Sequence, residues 1–236
     1  MGIIDLKYKA SLKTSSIDKN QLVGSVCSLT ISIDQEKQQG ERLYAIYQVI
    51  TESCFKKCYI MLCDTLQRYN LPEYNKHDQL KAHELALTLG DNWIENNRKH
   101  LKALQIPYQL LRWDYWINRP EYSSMKKTID DKFDTCKKYR DVFYQCANTF
   151  AKRLYNRNYK NIEYEAIISN SIQYLKEECA VMLIWAKEGY NFEIYPSKRI
   201  EVMDATYKYI ISKNIAREVL KPISLDIRSR NPKGLF

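Results

Sequence analysis

Apolar and polar stretches alternate along this chain in a way that predicts strands and helices in turn. Residues 21–33 form the first strand. They are most apolar over 26–33, where Val, Ile and Thr cluster with few charges. That run breaks into a polar turn over 34–40. Leu43, Ile46, Tyr47 and Ile50 then recur at i, i+3, i+4 and i+7, predicting a helix that opens at Glu41. Residues 58–63, CYIMLC, predict a short buried strand, and from Asp64 the chain leaves the sheet. Residues 78–104 predict a helix broken at Gly90-Asp91, where Asp91 would cap a second piece. Pro107 resets the chain, residues 108–112 predict a third strand, and 113–119 an aromatic turn. Two long helices follow over 122–155 and 161–186. The second carries Ile167, Ile168, Ile172, Leu175, Cys179 and Met182 along one side and stops at Gly189. Residues 192–195 predict a fourth strand closed by Pro196, and 203–212 a helix. An edge strand is expected near residues 6–9, and a loose, basic tail after Pro222.

Strands that alternate with helices predict an α/β fold with a mostly parallel sheet flanked by helices. A length of 236 residues suits one domain over 1–236, and 45% hydrophobic residues can fill its core. The chain has no apolar run of about 18 residues, so no membrane span is expected. MGIIDLKYKASLK lacks the apolar core of a secretory signal, and Leu6 breaks the myristoylation pattern. The seven cysteines are scattered, with no C-x-x-C pair. None stands in zinc-like spacing with His77, His83 or His100, so no metal is expected and a reducing cytoplasm is.

The formal charge of +9 changes the list of partners more than it changes the fold. It favours nucleic acid first and an acidic membrane surface second. Arg98, Lys99 and Lys102 fall in one predicted helix. Lys126, Lys127, Lys132, Lys137, Lys138 and Arg140 fall in the next, which Lys152, Arg153, Arg157 and Lys160 end. Asp130, Asp131 and Asp134 interrupt them, so part of this is an ordinary solvated face. No Gly-rich phosphate loop and no common RNA-binding signature is present.

Period-two geometry puts Ser28, Thr30 and Ser32 on one face of the first strand. The commoner reading of three such hydroxyls is a solvent-facing edge strand; the other is a wall of a polar pocket. Tyr174 and Glu178 are four apart on a helix and share a side. A Glu there could hold an amine or move a proton. Glu177 reads as an ordinary surface acid, although position alone does not say which of the two points inward. If its strand is parallel to the first, Tyr195 would overhang the carboxyl edge of the sheet beside Ser32, where open α/β sheets bind ligands.

The strings ISIDQEKQQGERL, DTLQRYN, WIENNRKHLKALQIPYQLLRWDYW, YLKEECAVMLIW and EIYPSKRIEVMD, in this order and spacing, resemble the tRNA-dependent cyclodipeptide synthases over about residues 22–210. The resemblance implies a Rossmann-like domain similar to the catalytic domains of class I tyrosyl- and tryptophanyl-tRNA synthetases. It implies that two aminoacyl-tRNAs are joined into a cyclic dipeptide, without ATP, metal or cofactor, by a protein that is generally a monomer. Ser32 matches the family's nucleophile, Tyr174 and Glu178 its tyrosine–glutamate pair, and Tyr195 its strand-terminal tyrosine. Gln35 and Pro196 match the flanking positions of the X-Tyr-Pro subfamily. Arg98, Lys99 and Lys102 correspond best to the family's tRNA-contacting helix. Thr30 stands where the family usually has Gly, which narrows the expected pocket beside Ser28 and suits a small first aminoacyl group. Glu193, on the face of Tyr195, is expected to reach the same pocket. Two rivals stand beside this reading. One is a non-catalytic RNA-binding α/β protein that uses the basic helices alone. The other is an α/β hydrolase, against which the missing G-x-S-x-G elbow counts.

Overall fold

The structure, a computed structural model, describes residues 7–13, 17–75, 78–156, 163–196 and 199–229. The expectations placed on residues 1–6, His77, Arg157, Lys160, residues 161–162 of the expected 161–186 helix and the last seven residues lie outside these.

Six strands form one sheet: β1 (Tyr8–Lys13), β2 (Val26–Ile31), β3 (Lys57–Leu62), β4 (Tyr108–Arg112), β5 (Phe192–Tyr195) and β6 (Lys221–Ser229). Their order is β1-β6-β5-β2-β3-β4, and only the β1–β6 pair is antiparallel. The expected α/β class with a mostly parallel sheet is therefore observed. β2 lies between β3 and β5, which excludes the edge-strand reading of its hydroxyl face.

The two faces of β2 bury different partners. Cys27, Leu29 and Ile31 pack with Ile60, Leu62 and Ile194 under α1 (Gly40–Glu52) and α3 (Gln79–Leu101). The opposite face, with Met61, Cys63 and Leu111, packs under α7 (Tyr164–Lys187), which contributes Leu175, Cys179 and Met182. From Leu175 to Ala186 every residue of α7 is buried, the charged Lys176, Glu177 and Glu178 included. The remaining helices are α2 (Pro72–Asn75), α4 (Trp113–Ile117), α5 (Tyr122–Thr135), α6 (Lys137–Asn156), α8 (Glu201–Thr206) and α9 (Ser212–Asn214).

Four expectations are corrected. Through Ser229 the tail after Pro222 is not loose. It is β6, in which Ile223 and Leu225 are buried, and it pairs with both β5 and β1. The 122–155 helix is two helices, because Cys136 takes an extended conformation between α5 and α6. The 203–212 helix begins at Glu201 and gives way to a π turn over Tyr207–Ile211. α3 is continuous through Gly90 and is capped by Asp78, whose side chain accepts from Lys81 N.

Gly90 is there for space. A Cβ on it would stand 2.6 Å from Asp64 Oδ2, 2.7 Å from Asp64 Cβ and 2.8 Å from an Arg112 nitrogen. Asp64 is fully buried; it accepts from Thr65 N and Trp113 N and pairs with Arg112 at 2.5 Å. Arg112 also pairs with Asp91 at 2.6 Å, so Asp91 ties α3 to β4 and does not start a helix. Gly90→Ala is expected to lower stability by about 1–3 kcal/mol, the usual cost of overpacking, measured by urea unfolding.

Candidate active site

The carboxyl edge of the sheet brings together residues far apart in sequence. Ser32 directly follows β2, and its carbonyl accepts from Gln35 N at 3.1 Å to form a tight turn. Gln38, fully buried, closes that turn from inside. Its Oε1 accepts from Ser32 N at 2.8 Å, and its Nε2 donates to Thr30 O at 2.5 Å. Trp93 Nε1 donates to Gln38 O at 3.2 Å, and Asn97 Oδ1 accepts from Gly40 N at 2.8 Å. The strand–turn–helix corner is thus pinned to α3, and the Ser32 hydroxyl has a fixed origin. Its backbone N–H is already engaged, so that group is not a free oxyanion donor. Gln38 was not singled out from the sequence; a polar residue in a polar turn carries no burial signal.

β5 runs parallel to β2 and brings Tyr195 to Ser32 at the sheet edge. Burial pushes the Tyr195 phenol up, and the Ser32 hydroxyl beside it pulls it partly back. Tyr174 and Glu178 come in from α7. Gln67 Nε2 donates to the Tyr174 hydroxyl at 3.5 Å. Tyr174 is raised by burial first and by the Glu178 charge second. Glu178 is pushed up to about 8, first by burial and then by the charge of Glu193. Glu178 makes no ion pair or hydrogen bond among the described residues, although its charge is felt at Tyr174, Cys63 and Tyr195. Asp34, in the turn after Ser32, acts on the same three groups.

Ser28 and Thr30 lie deeper on the same face. Exposure falls from 7% at Ser32 to 1% at Thr30 and 0% at Ser28, so the accessible space ends near Thr30. The Thr30 hydroxyl is buried without a hydrogen-bond partner. Glu193 sits opposite Ser28 in the ladder, and its carboxylate is already held by Arg199, with Nε at 2.9 Å. What that position presents is a paired carboxylate, braced by the bond from Arg199 Nη2 to Leu220 O at 2.6 Å. Cys63 and Cys179 are also buried here, and burial holds both thiols high, against thiolate chemistry.

Gln35 is exposed on the turn, and Pro196 is buried behind Tyr195. Pro196 forms one wall of a cleft of about 500 Å³ whose other lining includes Lys13, Lys37 and Asp226. Arg98, Lys99 and Lys102 are exposed at the end of α3 and make no ion pair among the described residues. Glu177 is not a surface acid: it is 3% exposed, and both its oxygens are hydrogen bonded to partners other than those around Glu178. Among the described residues no cluster of His, Cys, Asp and Glu suits a metal ion, and no helix is long and apolar enough to cross a membrane.

No protein-family model matches the chain, and no curated protein does. Solved structures do. A synthase abbreviated CDPS from Fluoribacter dumoffii superposes with a TM-score of 0.87 at 30% identity, covering 94% of this chain and 98% of that one. A cyclodipeptide synthase from Candidatus Glomeribacter gigasporarum, bound to Phe-tRNAPhe, shares the fold with a TM-score of 0.74 at 16% identity, covering 96% and 97%. A Mycobacterium tuberculosis protein, whose structure relates cyclodipeptide synthetases to type I tRNA synthetases, gives 0.59 at 9% identity over 95% and 94%. With 30% identity to the Fluoribacter protein over nearly the whole of both chains, this chain belongs to the cyclodipeptide synthases, a family of aminoacyl-tRNA-using enzymes.

Proposed function

We propose that this chain joins two aminoacyl groups from tRNA into a cyclic dipeptide by ping-pong transfer through an acylated Ser32. The observation that carries the reading is the pairing of two features at one sheet edge. A strand-terminal serine stands beside Tyr195, and a buried carboxyl, Glu178, has no cation paired with it among the described residues. A buried acid in that state is a ready seat for an ammonium group.

The steps follow from those groups. Ser32 Oγ attacks the ester carbonyl of the first aminoacyl-tRNA; the bond to the ribose oxygen breaks, and that oxygen leaves with the serine proton. Glu178 and Tyr174 hold the α-ammonium of the retained aminoacyl group and take its proton. The freed amine attacks the second aminoacyl-tRNA, forming a peptide bond and releasing the second tRNA. The amine of the dipeptide then attacks the Ser32 ester, closing the ring, and Ser32 regains its proton with Tyr195 beside it to relay it. An aminoacyl ester is activated already, so the scheme needs neither ATP nor a metal. Gln35 and the Tyr195-Pro196 step support membership of the X-Tyr-Pro subfamily. Arg98, Lys99 and Lys102 offer exposed charge for the tRNA backbone, and the Lys13–Lys37 cleft offers a second basic surface beside Tyr195. The whole chain acts as one catalytic unit in this reading.

Thr30 sets the depth of the first aminoacyl pocket. Its side chain fills the space that Gly would leave, so alanyl or another small group loads first. Thr30→Gly is expected to raise the loading of leucyl relative to alanyl groups by about tenfold or more, the scale on which one or two methylenes discriminate. Comparing acyl adducts from the two charged tRNAs measures this.

The function is tested by incubating the purified chain with pools of aminoacyl-tRNA, without ATP, and searching for cyclic dipeptide masses. Product confirms the reading. A non-catalytic RNA-binding protein would give salt-sensitive tRNA binding that ignores the aminoacyl group, and no product.

A further inference from the structure

Two acids follow one another on α7, and they face different structures. Glu178 faces Ser32. Glu177 faces the turn that follows β3, a 3-10 segment over Thr65–Asn70. Its Oε2 pairs with Arg68 Nη2 at 2.5 Å and accepts from the Tyr69 hydroxyl at 2.9 Å and the Tyr122 hydroxyl at 3.4 Å. Its Oε1 accepts from Trp113 Nε1 at 2.8 Å. Both oxygens are satisfied, so Glu177 itself has nothing left to offer a substrate.

This arrangement locks the turn to α7. Arg68 Nη1 also donates to Thr65 O at 2.8 Å, which stiffens the turn from within. At its start the turn is held by Asp64, which accepts from Thr65 N at 2.9 Å and Trp113 N at 3.1 Å. Between these anchors stands Gln67, 7% exposed. Its Oε1 accepts from Asn70 Nδ2 at 2.8 Å, which orients the amide so that Nε2 faces the Tyr174 hydroxyl.

The direction of that bond matters. A phenol oxygen carries one hydrogen and accepts through its lone pairs. With Gln67 donating to the oxygen, the Tyr174 hydrogen turns away from the amide, and the charge that acts most on that phenol is Glu178, four residues further along α7. Without Gln67 the hydroxyl would be free to rotate. We infer that Gln67, held in place by the Glu177–Arg68 pair, is a positioning residue that aims the Tyr174 hydroxyl at the α-amino site and so acts after Ser32 is acylated. The inference rests on the acyl-serine reading above.

The test separates the two steps. Intact mass at short times, with one aminoacyl-tRNA, reads the rate of Ser32 loading; adding the second aminoacyl-tRNA and measuring cyclic dipeptide reads the later steps. Gln67→Leu, which keeps the size and removes the donor, is expected to load within about twofold of wild type and to form product about 10- to 100-fold more slowly. Tyr174→Phe should show the same split. The double variant Gln67→Leu/Tyr174→Phe should be no slower than Tyr174→Phe, because Gln67 acts only through that hydroxyl. Additive losses, equal slowing of loading and product formation, or a Gln67→Leu variant as fast as wild type would overturn the inference. A wild-type protein that takes up no acyl group would remove the acyl-serine reading itself, before any Gln67 variant is compared.

Discussion

Glu178→Gln is expected to leave Ser32 acylated and to cut cyclic dipeptide output by about a thousandfold, within the range for loss of a positioned acid or base. Burial pushes the wild-type carboxyl up to about 8, and the α-amino group it would receive in the proposed scheme titrates at about 7.7–8.0. Two groups so matched share a proton easily, which lets one carboxyl bind an ammonium and then free the amine for attack. The wild-type kcat/KM should therefore rise with pH to a midpoint near 8, and the Gln variant should lack that limb. Stability should move the opposite way. The ordinary value for such a carboxyl is 4.5, and burial raises it to about 8 in the folded state. Between those pH values the folded protein holds a proton that the unfolded chain has lost. Stability falls as pH rises across that window, by up to about 1.4 kcal/mol per unit from this group, and levels off above it. Urea unfolding at several pH values should show that slope in the wild type and its absence in Glu178→Gln. The variant would then be the more stable protein at pH 8 and the poorer enzyme, as expected where a site holds a group at some cost to the fold.

The alternation of strands and helices was legible because each central strand is a short apolar run bounded by polar turns, as in residues 58–63. β6 was hidden because Asp226 and Arg228 alternate with its apolar residues and read as a polar tail, while its partner β1 lies more than 200 residues away in sequence. The division at Cys136 has no Gly or Pro to announce it. Gly90 looked like a break, yet it serves a side chain from another element, a requirement no local pattern expresses. The site followed the same logic. Ser32, Tyr174, Glu178 and Tyr195 were reached through the family resemblance, and the structure gathers them at one edge. Glu177 was misread because two adjacent acids on a helix are equivalent in sequence. What separates them is non-local: Arg68, Trp113 and Tyr122 converge on Glu177 from three other segments. Ser28 and Thr30 looked like an exposed edge for the same reason, since the covering α7 comes some 130 residues later.

Ser32→Ala removes the atom on which the whole scheme turns. Tyr195, Tyr174 and Glu178 would keep their places, since none is anchored by the Ser32 hydroxyl alone, and the backbone N–H of residue 32 would still be held by Gln38. Folding should be unchanged within about 1 kcal/mol, the net worth of one hydrogen bond. Chemistry should stop, because neither Cys63 nor Cys179 can replace the nucleophile: burial keeps both thiols protonated. The most direct measurement is the intact mass of the protein, with peptide mapping, after brief exposure to charged tRNA. The account predicts one aminoacyl group on the wild type, mapped to Ser32, and none on Ser32→Ala. An adduct that persists in Ser32→Ala, or cyclic dipeptide made at wild-type rate by that variant, would contradict it.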